Sequence, residues 1–101
     1  MYRTHNCGEL RIENVGQEVT LSGWVQKVRN LGAMAFIDLR DRYGITQITV
    51  EEHSSEAVKA AASEVGREYV LQVTGKVIER SSKNSKIATG DIEISATELK
   101  I

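Results

Sequence analysis

Hydrophobic and polar residues alternate through five stretches of the chain and follow a helical period in a sixth. In residues 18–29, Val19, Leu21 and Val25 share one parity with Gly23 between them, which predicts a long strand with a bulge or sharp coil at the glycine. Residues 34–47 predict two strands joined by a tight turn at 41–44. Ala35, Ile37 and Leu39 fall on one face of the first, and Met34, Phe36, Asp38 and Arg40 on the other. Asn30-Leu31-Gly32-Ala33 turns the chain into that hairpin. The third strand, 45–50, sends Ile48 and Val50 inward and Gln47 and Thr49 outward. Val58, Ala61, Ala62 and Val65 then recur at i, i+3, i+4, i+7, predicting a short helix. Ser54 or Ser55 is its N-cap, Glu56 suits its first turn, and Gly66 is its stop. Strands at 69–80 and 91–99 complete the set. Leu71, Val73, Val77, Ile92, Ile94 and Ala96 point inward, and Gln72, Thr74, Lys76, Glu93 and Ser95 outward.

The order β-β-β-α-β-β, with a coiled first strand, predicts an all-β fold with one short helix: a five-stranded Greek-key barrel of the OB type. Such barrels bind oligonucleotides or oligosaccharides on strands 2 and 3 and the loops joining strands 1–2 and 4–5. At 101 residues the chain makes one domain, 1–101. Residues 1–17 form an N-terminal extension packed on the barrel through Leu10, Ile12 and Val15, with a turn at 7–10. Residues 81–90 are a flexible polar loop by composition.

Phe36 is the anomaly in this pattern, an aromatic on a polar face that it shares with Gln47. A flat ring beside a group that both donates and accepts hydrogen bonds is what an unstacked base needs. The alternative is that Phe36 plugs a barrel end or packs under a loop. Trp24, next to Gly23, reads as a core or edge anchor.

A formal charge of −1 argues against strong non-specific DNA binding, but charge is unevenly distributed. Lys27 and Arg29 lead into loop 1–2, and Lys76, Arg80, Lys83 and Lys86 flank or occupy loop 4–5, while Glu51, Glu52, Glu56, Glu64 and Glu68 gather around the helix. The single Cys7 leaves no internal disulfide, suits a reducing cytoplasm and reads as a small buried apolar residue. Without a long apolar run or signal-peptide pattern, a soluble, cytoplasmic, non-membrane protein is expected. His5 and His53 lie apart without metal-ligand spacing. Asp38, Arg40, Asp41 and Arg42 raise metal-dependent phosphodiester cleavage, but a cross-strand ion pair or turn cap explains them as well.

Several runs carry a family likeness: Met1 to Leu10 (MYRTHNCGEL), Val19 to Val25 (VTLSGWV), Phe36 to Arg42 (FIDLRDR) with Gly44 and Gln47, and Thr89 to Ile94 (TGDIEI). Together they resemble the N-terminal anticodon-binding domain of bacterial aspartyl-tRNA synthetases over nearly the whole chain. The resemblance implies that the aromatic at Phe36 stacks on the middle anticodon base, a uracil, that Gln47 hydrogen-bonds it, and that Arg29 contacts the same region. It implies that Glu93 reads the first base and that Arg80 and Asn84 approach the third, with Lys27 and Lys83 on the basic rims. The partner implied is the anticodon loop of tRNA-Asp. No catalytic residue or cofactor is expected in this chain. ATP and magnesium belong to the family's catalytic domain, whose class II motifs do not occur here, and the parent enzyme is expected to be a homodimer. Val28 interrupts a run that is usually basic, Gly66 and Arg67 replace an arginine after the helix, and loop 4–5 lacks its usual prolines. A sequence-tolerant single-strand binder, a nuclease and a protein-contact barrel stand as alternatives.

Overall fold

The computed structural model describes residues 3–31, 34–51 and 54–101. Glu52, His53, the opening Met1-Tyr2 and the Gly32-Ala33 part of the expected turn lie outside the described residues. A short 3₁₀ turn, Ile12–Asn14, precedes β1 (Glu18–Leu31), β2 (Met34–Asp41), β3 (Gly44–Val50), α1 (Glu56–Glu64), β4 (Val70–Glu79) and β5 (Ile92–Lys100). The strands close into a barrel in the order β1-β2-β3-β5-β4, with β3 and β5 parallel through Ile48↔Ile94 and Thr49↔Ser95.

Closure depends on β1 serving two neighbours. Its first half, Glu18 to Trp24, pairs with β4, and its second half, Trp24 to Leu31, pairs with β2. The bulge that lets it change partners lies between Val25 and Lys27, not at Gly23. Gly23 serves close approach instead, because a Cβ there would run into the Arg40 carbonyl of β2. Trp24 points outward and stands 41% exposed, so it is not a core residue. The inward parity of the other strands holds: Leu21, Ile37, Leu39, Ile48, Leu71, Val73, Val77, Ile92 and Ile94 are fully buried in one core. That much apolar side chain, at about 1.5–3 kcal/mol for each Leu, Ile or Val removed from water, is the main term holding the barrel closed.

The helix begins where expected, with Ser55 Oγ accepting from the Val58 amide at 3.3 Å. Val58 and Ala62 bury its apolar stripe. It ends at Glu64, before Gly66, and the left-handed backbone conformation that follows is taken by Glu68 (φ 70°). In the N-terminal segment Cys7 and Leu10 are buried, whereas Ile12 and Val15 are exposed and do not contribute to the core. Asp41 fastens this segment to the β2–β3 turn. Its Oδ1 accepts from the Tyr43 and Gly44 amides at 2.8 and 3.1 Å, and its Oδ2 accepts from the Cys7 amide at 2.8 Å. Thr46 Oγ1 donates to the Cys7 carbonyl at 2.7 Å from the other side.

Burial pushes the Cys7 thiol well above its ordinary 9.0, and the neighbouring Asp41 carboxylate pushes it the same way. The folded state thus keeps its proton after the unfolded chain has released it. The thiol's contribution to stability is full below pH 9 and declines as pH rises above it, by up to about 1.4 kcal/mol per unit. In urea unfolding between pH 8 and 10.5, Cys7→Ala is expected to show a shallower loss of stability than the parent; equal slopes would mean that the thiol ionises freely in the fold.

Candidate nucleic-acid interface

The outer face of β1–β2–β3 carries the expected residues, but in a different pairing from simple alternation. Phe36 sits between Arg29 on β1 and Thr49 on β3, and Gln47 lies opposite Asp38, diagonal to the ring. Phe36 is half-buried, and the Arg29 guanidinium carbon lies 5.1 Å from its ring centroid. At an exposed site such a cation–π contact is worth about 0.5–1 kcal/mol, enough to bias the orientation of the arginine. Arg29 Nη2 also donates to Gln47 Oε1 at 3.4 Å, and Gln47 Nε2 donates to Glu93 Oε1 at 2.6 Å. Ring, guanidinium, amide and carboxylate therefore form one continuous chain across four strands.

Gln47 keeps its outward parity without being exposed. It lies on the outer face but is 5% exposed, and Glu93 is 8% exposed, because each covers the other. A buried carboxylate without a donor would cost several kcal/mol, so the Gln47 amide is the group that makes burial of Glu93 tolerable. Thr49, beside Phe36, is also buried, and its hydroxyl has no partner among the described residues.

A cleft of about 300 Å³ opens next to this chain of contacts, lined by Lys27, Arg29, Gln47, Arg80 and Asn84 together with Gln26, Asp38, Ile45 and Ile87. Tertiary closure thus unites the two basic rims that are more than fifty positions apart in sequence. Lys83 does not line the cleft; its ammonium pairs with Glu79, four residues earlier, at 2.5 Å on the exposed surface. Nor do Lys76 and Lys86 line the cleft; Lys76 instead pairs in register with Glu18. Asp38 was read as a hairpin residue, yet it lines the cleft; its outward parity on β2 was the available signal. Arg40 does not line the cleft but donates at 2.7 Å to Gln26 Oε1 of its lining. Among the described residues no three His, Cys, Asp or Glu side chains converge as a metal-holding group.

Residues 81–90 close the cleft as a self-bonded loop. The Asn84 amide donates to the Gly90 carbonyl at 3.0 Å, the Gly90 amide to Ile87 at 3.1 Å, and the Thr89 hydroxyl donates to the Ile45 carbonyl. Thr89 and Gly90 are buried, whereas residues 81–88 stay exposed or half-buried, as their polar composition predicts. Arg80 is fixed by its backbone amide, which donates to Asp91 at 3.0 Å, while its Nε is buried without a partner among the described residues.

Comparison with known proteins bears on this interface. A model of OB-fold nucleic acid binding domains of the tRNA anti-codon type matches residues 19–101. The chain is similar to the aspartate–tRNA ligase of Amoebophilus asiaticus, 57% identical over 102 residues, covering 100% of this chain and 18% of that protein. It is likewise 56% identical to the aspartate–tRNA ligase of Bacteroides thetaiotaomicron over 101 residues, covering 100% of this chain and 17% of that protein. Among solved structures, asparaginyl-tRNA synthetase from Pyrococcus horikoshii, complexed with asparaginyl-adenylate, matches with a TM-score of 0.82 at 28% identity, over 100% of this chain and 22% of that one. The chain thus spans less than a fifth of the length of the curated relatives it matches.

The loop geometry makes a direct prediction. A Cβ on Gly90 would overlap the Asn84 carbonyl, so Gly90→Ala must open the loop. Hydrogen exchange at the Asn84 amide should accelerate tenfold or more while the β2 and β3 amides keep their protection, with an overall stability loss of about 1–3 kcal/mol.

Proposed function

Since this chain belongs to the tRNA anti-codon family of OB-fold nucleic acid binding domains, we propose that it binds the anticodon loop of tRNA-Asp as part of an aspartate–tRNA ligase. The observation that carries the reading is the cleft in which Lys27, Arg29, Gln47, Arg80 and Asn84 meet beside the Phe36 ring. Phe36 is the stacking platform for the middle base, a uracil. Gln47 Oε1 accepts one hydrogen bond from Arg29 and keeps a second lone pair for the base edge. Glu93, an acceptor, takes the first base, and Arg80 and Asn84 take the third from the closed loop. Lys27 meets phosphates, which hold the loop in register without reading it.

In this reading the chain itself performs no catalysis. Joining aspartate to tRNA with ATP and magnesium falls to a catalytic domain of the parent enzyme, expected to act as a homodimer. Binding through this domain discriminates tRNAs by their anticodons, and the acceptor end is handled elsewhere.

Titrating an aspartate-type anticodon stem-loop tests the proposal. Wild type should bind it at least tenfold tighter than the same loop with the middle uracil replaced by cytosine; equal affinities would leave only a sequence-tolerant single-strand binder. Phe36→Ala should lose about 1–3 kcal/mol of binding with little change in Tm, because the half-exposed ring adds little to the core. A large fall in Tm with binding intact would return Phe36 to a packing role. Lys27→Ala should weaken all loops alike and reduce the salt dependence, lowering the slope of log K against log salt by about 0.7 for one lost phosphate contact.

A further inference from the structure

The Gln47 amide has two chemically distinct ends, and its neighbours leave one orientation open. An ionised carboxylate only accepts hydrogen bonds, and a guanidinium only donates them. The Gln47 NH₂ therefore faces Glu93 Oε1 at 2.6 Å, and Gln47 Oε1 faces Arg29 Nη2 at 3.4 Å. Turning the amide over would set oxygen against carboxylate and NH₂ against guanidinium. Gln47 and Glu93 are both nearly closed to solvent, so water could not relieve the oxygen–carboxylate repulsion. Arg29 is exposed and rests over the Phe36 ring, so the orientation is set at the Glu93 end.

We propose that Glu93 is a positioning residue for readout of the base stacked on Phe36, acting through the Gln47 amide. The inference rests on the anticodon reading above and adds to it a residue that chooses the middle base without touching it. With the amide held by Glu93, the site presents an acceptor, Gln47 Oε1, beside a donor, the Arg29 guanidinium. Uracil offers the complement on its Watson–Crick edge, an N3–H next to a carbonyl. The reversed amide would present donors side by side. That pattern suits the adjacent N3 and O2 acceptors of cytosine and opposes the uracil N3–H. Glu93 thus converts a side chain that could read either pyrimidine into one that prefers uracil.

Glu93→Gln preserves volume but can donate as well as accept, so it releases the lock. Wild type and variant are titrated with the aspartate-type stem-loop, its middle-cytosine version, and both loops made abasic at the first anticodon position. The preference for uracil over cytosine is expected to fall at least fivefold in the variant, with intact and abasic first positions alike. By NMR the Gln47 side-chain amide protons should be exchange-protected in the free wild-type protein and lose that protection in the variant. Adding Gln47→Glu to Glu93→Gln restores a donor facing an acceptor and again sets an oxygen toward Arg29, so the double variant should regain the uracil preference. An unchanged preference in Glu93→Gln, or a loss seen only when the first base is present, overturns the inference and leaves the anticodon reading standing. A double variant that folds but stays indifferent to the middle base overturns it too. Equal wild-type affinities for the two intact loops remove the anticodon reading and this inference together.

Discussion

The barrel depends on one strand belonging to two pairings. β1 must leave β4 and join β2 without breaking its ladder, and the register shift between Val25 and Lys27 is where it does so. Gly23 makes the crossing possible by letting the Arg40 carbonyl approach where any side chain would stand. The consequence reaches the interface directly. Beyond the shift, Lys27 and Arg29 face the outer surface of β2, and Arg29 comes into register with Phe36. A strand that failed to bend here would leave both the core open and the basic rim misplaced.

The same closure determines how the interface is charged. β3 and β5 meet in parallel, which brings Glu93 against Gln47, and the loop before β5 folds back so that Asn84 and Arg80 reach the cleft. Cations outnumber acids along its lining, with Lys27, Arg29 and Arg80 against Asp38. The chain's formal charge of −1 therefore says little about the field a polyanion would meet there. Local geometry also explains why the polar chain is already closed in the free protein. Buried donors and acceptors that waited unpaired for a ligand would cost about 1–3 kcal/mol each. Internal pairing of Gln47 and Glu93 avoids that cost and leaves the amide oriented in advance.

Two local signals told only part of the outcome. The helix stops where Gly66 predicts, directly after the Val65 cap, yet the left-handed backbone that glycine tolerates is adopted by Glu68, its amide donating to the Val25 carbonyl at 2.6 Å. Residues 81–88 are polar and lie at the surface, yet the segment ends buried, with the Thr89 hydroxyl donating to the Ile45 carbonyl of β3. In both places a contact with a remote strand decided the backbone, and local composition could not report it.

What the sequence determined by itself is the set of faces. Period-two alternation assigns Ile37, Leu39, Ile48, Val73 and Ile94 to the core and Phe36, Gln47 and Glu93 to the other side, because a strand residue's direction follows from its parity. The helix, its Ser55 cap and the turn held by Asp41 are likewise local, built from side chains a few positions apart. Tertiary structure alone decided which outward residues of remote strands meet. The 41–44 turn also sets Phe36 opposite Thr49 within the hairpin, but parity gives neither burial nor the register of strands remote in sequence, so it could not close Gln47 against Glu93 or exclude Lys83 from the cleft. Those outcomes depend on strands 46 positions apart being joined by one hydrogen bond, and only closure of the barrel fixes that distance.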